Sequence, residues 1–239
     1  TGVNVDLPVG IHRLQAGNPS GATVPLLRAA RLTHDEGRFA VSLNACRMGV
    51  QAADQAEGVS ARAEARICQA QTLLSSGATE EAIQIIREAQ QIGHLDRRTQ
   101  ARLLVCMAHA EENLGRLEEA KRLLENAETT FEATRDREGL IDTAEAIGRV
   151  YRLEGRPVDA ARRYAKMLRL NRGDKRTEVQ ALHGLVDSRV ASGRLEGINP
   201  LVQRLREAAL ATGDTRRIAK ATFVAGLVRL ALEDFEDAE

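Results

Sequence analysis

The feature that most constrains this chain is a break that returns every 38 or 40 residues. In Gly115-Arg-Leu-Glu-Glu-Ala120 a glycine stops one helix, an apolar residue enters two positions later, and an acidic pair with alanine opens the next. Leu117, Ala120, Leu123, Leu124 and Ala127 then fall on one helical face. The same break stands at Gly37-Arg-Phe39, Gly77-Ala-Thr-Glu-Glu-Ala82, Gly155-Arg-Pro-Val-Asp-Ala160, Gly193-Arg-Leu-Glu196 and Glu233-Asp-Phe-Glu-Asp-Ala238. Its steps are 40, 38, 40, 38 and 40 residues. One hairpin cannot cover its own apolar face, so a chain of such copies buries it by stacking them. The period predicts an all-α fold: a right-handed α-solenoid of about 5.5 antiparallel helix hairpins, as such repeats form.

A second series runs in phase with the first. Gly93, Gly173 and Gly213 sit where second helices end, as left-handed caps, and Asp96, Asp136, Asp174 and Asp214 open the next helices as N-caps. The hydrophobic period places first helices at 24–36, 60–75, 97–113, 137–153, 175–191 and 215–232, and second helices at 38–56, 79–92, 117–134, 157–171 and 199–212. After Gly193 the acidic-alanine start gives way to Gly197-Ile-Asn-Pro200, which predicts a longer connection, with Asn199 as cap and Pro200 first in the helix. Pro25 reads likewise as an early helical position. Residues 1–22 carry four glycines and two prolines, and Val3, Val5, Leu7 and Val9 alternate. They read as an extended segment or linker before a repeat domain over 23–239.

Composition excludes several function classes. The 34 basic and 34 acidic residues are interspersed, leaving no basic face for nucleic acid. The basic set is lopsided, 30 Arg to 4 Lys, which suits bidentate pairing with carboxylates. Aromatics make up 3%, with no Trp, so the core is built of Ala, Leu, Val and Ile and offers little to an aromatic-lined pocket. Three cysteines argue against a disulfide framework and for a reducing, cytoplasmic setting. Cys68 and Cys106 each stand nine residues before a hairpin glycine, where other repeats carry Ala146, Gly184 and Val224. That position reads as a packing slot for small side chains, not as a metal site. No apolar run approaches a membrane span. The chain has no glycine-rich phosphate loop, no C-x-x-C, no H-E-x-x-H and no G-x-S-x-G, so neither an enzyme nor a cofactor is expected.

The stretch from Gly115 to Ala127 resembles the second helix of the tetratricopeptide repeat (TPR). Gly148 and Gly226, seven residues before a break, match that family's first-helix glycine, with Ala70 and Ala108 as small substitutes, and Tyr151 matches its aromatic position. The period near 39 exceeds the usual 34, and the family's Trp and closing Pro are absent. This is similar to the long-repeat, MalT-like variant of bacterial regulators. HEAT or armadillo repeats share the period but lack the Gly-x-x-Glu-Glu-Ala signature.

The resemblance implies that first helices line a concave face. Positions thirteen, ten, six and three residues before each break would then point inward. In successive repeats these are Glu64, Ile67, Gln71 and Leu74; Arg102, Val105, His109 and Glu112; Asp142, Glu145, Arg149 and Arg152; and Gln180, His183, Asp187 and Val190. The polar members form the candidate partner-binding set, and Arg149 and Arg152, one turn apart, suit an acidic side chain or a C-terminal carboxylate. The implied function is a non-catalytic scaffold for a protein or peptide, with self-association left open. The alternative is a sensor or oligomerisation arm of a larger bacterial signalling or transcription-regulating protein, linked to an NTPase or kinase.

Overall fold

A computed structural model of the chain describes residues 5–236, and side chains as far as Glu233. Every element in it is a helix: α1 (Asp6–Gln15), α2 (Pro19–Asp35), α3 (Phe39–Gln55), α4 (Val59–Ser75), α5 (Thr79–Gln90), α6 (Arg97–Asn113), α7 (Leu117–Thr134), α8 (Arg137–Leu153), α9 (Pro157–Leu170), α10 (Lys175–Ala191), α11 (Ile198–Thr212) and α12 (Thr215–Glu236). From α2 onward these are the alternating first and second helices that the period requires, an all-α helical-repeat solenoid.

The breaks work as the sequence implies. Gly37, Gly77, Gly115, Gly155 and Gly193 all hold φ between 67° and 85°, a left-handed turn that a Cβ would strain. The return turns carry their own left-handed residue: Gly17, Glu57, His94, Arg135, Gly173 and Gly213. Half of these have a side chain, which hides that series from a search for glycine. The cap expected at Gly93 is one residue later, at His94, with φ 63°. The aspartate N-caps are in place: Asp96, Asp136 and Asp174 accept from the N–H of Thr99, Gly139 and Thr177, at 2.9, 3.2 and 2.7 Å. Asp214 accepts from Arg216 N–H at 2.9 Å.

Three local expectations are corrected. Asn199 does not cap α11; Gly197, left-handed at φ 64°, precedes it, and Asn199 and Pro200 lie inside the first turn. Pro25 is not an early position but stands mid-helix in α2, which begins at Pro19 behind the Asn18 cap. A mid-helix proline leaves the carbonyl four residues back without its amide donor. That carbonyl belongs to Gly21, and the Arg13 guanidinium of α1 donates to it at 2.9 Å.

The third correction is the N-terminal segment. Residues 6–15 are helical, not extended. Val3 lies outside the described residues. Leu7, Ile11 and Leu14 share one face at i, i+4, i+7 spacing and pack on the cluster of Ala22 and Leu26 of α2 and Ala52 of α3. Gly10 permits the approach, since a Cβ there would sit 2.6 Å from the Leu26 side chain. Pro8 falls in the first turn, where its missing N–H breaks no helical bond.

The chain divides into two compact units, Thr1–Thr130 and Phe131–Glu239. In the first, Leu27, Ala45, Cys46, Ala65 and Cys68 form one layer, and Ile67, Leu73, Ala82, Ile86, Leu103 and Cys106 the next. In the second, Ala144, Ala160, Tyr164 and Met167 pack with Leu185, while Leu182, Val186, Leu205, Val224 and Val228 close the end. The small-residue slot is buried throughout: Cys68, Cys106, Ala146, Gly184 and Val224 all lie inside. A Cβ on Gly184 would meet the Tyr164 ring at 2.5 Å.

Candidate interaction site on the first helices

In the first unit, Glu64 of α4 is held from both sides. Arg31 of α2 donates to one carboxylate oxygen at 3.1 Å, and Arg102 of α6 to the other. Three successive first helices are thus joined by one Arg–Glu–Arg row. Beside it, His34 Nε2 lies 2.9 Å from Ser75 Oγ. Gln71, His109 and Glu112 occupy the same register on α4 and α6 and are half-buried. Ile67, Leu74 and Val105, which share the expected inward positions, are buried core instead.

The second unit repeats the device with other residues. Gln180 of α10 donates to Glu145 of α8 at 2.6 Å, and Arg149 lies 3.8 Å from the same carboxylate. Asp187 of α10 is shared by Arg152 of α8 at 3.5 Å and by its own helix's His183 at 3.3 Å. Arg152 also reaches the Tyr164 hydroxyl of α9. Asp142 is exposed at the same register. Burial pushes the His183 imidazole below its ordinary range; Asp187 opposes this, and Lys220 and Arg152 add to the lowering. That lowering favours the neutral imidazole at neutral pH.

The arrangement presents half-exposed guanidinium groups fixed by carboxylates of their own helix or of a neighbouring first helix. An arginine has five N–H donors, so the Asp187 and Tyr164 contacts of Arg152 leave others for an incoming acceptor. Among the described residues no cluster of His, Cys, Asp or Glu could hold a metal ion. No helix among them is long and apolar enough to cross a membrane. The long connection after α10 leaves a cleft of 680 Å³ lined by Val158, Ala161 and Ala165 of α9 and by Gly193–Glu196, and it includes none of the candidate first-helix positions named above. The first-helix register had more to show than the four repeats expected to matter. Carried back from Gly37 it reaches Arg31 and His34, and carried back from Glu233 it reaches Lys220, Phe223, Leu227 and Leu230.

Fold and site together define a helical-repeat protein whose first helices present laterally paired polar side chains. Residues 99–172 match the family model of the tetratricopeptide repeat. That stretch carries tetratricopeptide repeats, and the helices on either side of it continue the same alternating pattern. Its fold is similar to aspartyl phosphate phosphatase F from Bacillus subtilis, with a TM-score of 0.71 and 14% identity over 95% of this chain. The match spans 61% of that protein. A thermophilic TPR protein of Thermus thermophilus aligns with a TM-score of 0.60 and 19% identity over 85% of this chain and 99% of its own. A Rap protein complexed with competence and sporulation factor aligns with a TM-score of 0.57 and 15% identity over 98% of this chain and 76% of its own. No curated protein matches the chain in sequence.

Proposed function

We propose that this chain is a non-catalytic scaffold that binds a protein or peptide segment along the concave face lined by its first helices. The observation that carries the reading is the lateral pairing of Arg152 with Asp187 and of Glu145 with Gln180. Side chains held in place before a partner arrives lose little rotamer freedom on binding, which favours affinity. Arg149 and Arg152 would take an acidic side chain or a terminal carboxylate, because a planar fork pairs with a carboxylate through two donors. Within the second unit Asp142, Glu145, Gln180, His183 and Asp187 would supply the surrounding polar contacts, and within the first unit Glu64, Gln71, Arg102, His109 and Glu112 would offer a polar set of their own. Solenoid grooves bind extended and helical segments in this way.

The test is the double variant Arg149→Ala, Arg152→Ala. Exposed ion pairs contribute about 0–1 kcal/mol, so its melting should stay close to that of the parent. Binding to carboxylate-bearing members of a peptide library should weaken about tenfold or more, about 1.4 kcal/mol. Equal binding by the folded double variant would move the site off this face.

A second reading has its own support. The repeat near 39 residues resembles that of MalT-like regulators, and the chain spans 61% of phosphatase F. On this reading the domain is a sensor or regulatory arm of a larger bacterial signalling protein, and its groove binds that protein's own catalytic domain or a small effector. A groove that binds such a domain but no library peptide would favour it.

A further inference from the structure

The connection after α10 departs from the other breaks. After Gly37, Gly77, Gly115 and Gly155 the second helix starts two residues later, at Phe39, Thr79, Leu117 and Pro157. After Gly193 it starts five residues later, at Ile198, so nearly one helical turn is missing. Gly197, at φ 64°, ends the connection, and Ile198 takes the buried slot that Ala82, Ala120 and Ala160 hold elsewhere. The cleft of 680 Å³ opens beside this connection, and the residues that line it all belong to the second unit.

Its lining combines apolar and basic side chains. Val158, Ala161 and Ala165 follow one face of α9, at i, i+3, i+7 spacing, and Leu185 and Leu195 join them. Short side chains on that face, beside a connection that is not helical, leave the space open. Arg162, Arg189 and Arg194 also line it. Arg189 is fixed in place, because its Nη1 donates to the Glu196 carbonyl at 3.1 Å, a contact that uses one of its five N–H donors. Arg162 donates to Asp159 at 3.0 Å, and Glu196 lines the same cleft. Set against those two carboxylates, the three guanidinium groups leave one positive charge unmatched.

We propose that this cleft binds a small organic acid, an aliphatic body of about six to ten carbons bearing a single carboxylate. Its volume lies within the range of small-molecule sites, about 300–1,000 Å³, and its lining has their composition, mostly apolar with a few charged groups. The unmatched charge calls for a monoanion. Arg189 is half-buried, so a carboxylate beside it is partly shielded from water, and its planar fork can pair through two donors. An aliphatic body fits because no aromatic side chain lines the cleft. None of the candidate first-helix residues lines it, so the two sites stand or fall independently.

Octanoate is the probe, read by the amide NMR shifts of the 239-residue chain. It should shift the amides of Gly193, Arg194 and Leu195 saturably, with a Kd of about 0.1–10 mM, the range open to a ligand of its size. Acetate lacks the apolar body and octylammonium has the opposite charge, so each should bind at least about tenfold more weakly. Arg194→Glu changes an exposed residue and should weaken octanoate about threefold to tenfold. Ala165→Phe, which puts a ring into the cleft, should keep the parent's helicity and abolish the shifts. Should that variant fail to fold, Arg194→Glu decides alone. No saturable shift at these amides up to about 30 mM octanoate would overturn the proposal. So would equal binding of acetate or octylammonium, or unchanged octanoate binding by Arg194→Glu or by folded Ala165→Phe.

Discussion

Ala82, Ala120 and Ala160 stand five residues after a hairpin glycine and are each fully buried. Any longer side chain there must push two helices apart. Ala120→Leu should therefore lower stability by about 1–3 kcal/mol through overpacking, and the other two alanines should behave alike. Urea midpoints of the three variants check the assigned register, and unchanged midpoints would show it to be wrong. Gly184 makes a sharper case. An alanine Cβ would lie 2.5 Å from a Tyr164 ring that is itself buried, so neither group has room to retreat. Gly184→Ala should fall in the same range of about 1–3 kcal/mol, while Gly184→Ala with Tyr164→Leu should recover part of it. The slot was legible as small residues nine positions before each glycine. That a tyrosine fills it from α9 was not, because the partner comes from another helix.

Among the elements, α1 is where pattern and structure part. Val5, Leu7 and Val9 alternate as a strand would, but Leu7, Ile11 and Leu14 also fit a helical face. Over ten residues both periods fit, and the choice falls to what lies alongside. Here that is α2, whose Leu26 is covered by α1 and whose Gly21 carbonyl needs a donor because of Pro25. Deleting residues 1–16 should thus expose core, not trim a linker. It should cost at least about 2 kcal/mol, the scale of uncovering one large apolar side chain. An unchanged thermal midpoint after that deletion would restore the linker reading.

For the molecule as a whole, acid should unfold it early. Hydrogen bonds from Thr99 hold the Asp96 carboxyl below the ordinary carboxylate range. Burial raises Asp174 and Asp214, but hydrogen bonds from Thr177 and from the Arg216 and Arg217 amides outweigh it and lower both. Arg66 lowers Asp54, and Lys175, with Arg204, lowers Glu178. A carboxylate whose folded pKa is depressed adds stability that is complete above its unfolded value, about 4, and is lost as pH falls through the folded one. His183 is also depressed, by burial, so its share is lost first, below about 6.5. Melting temperature should be level near neutral pH, dip slightly below about 6.5, and drop steeply below about 4. A profile that stays flat to about pH 3 would show that the caps contribute nothing. Replacing one cap, as in Asp174→Ala, should remove about 0.5–2 kcal/mol at neutral pH and much less in acid.

The sequence by itself determined the repeat, its period, eleven helices to within a few residues in all but the start of the first, and the aspartate caps. These rest on local chemistry: glycine at positive φ, oxygen acceptors at helix starts, and a period of about 3.6. It also set the register on which the candidate first-helix residues are counted. Tertiary structure decided which of those side chains meet. Arg31 with Glu64 and Arg152 with Asp187 are pairs between residues more than thirty apart, brought together by how neighbouring first helices lie. It also decided that Ile67, Leu74 and Val105 are core and that Phe223, Leu227 and Leu230 are not. A repeat position fixes where a side chain starts on its helix; whether it is covered depends on the helix beside it.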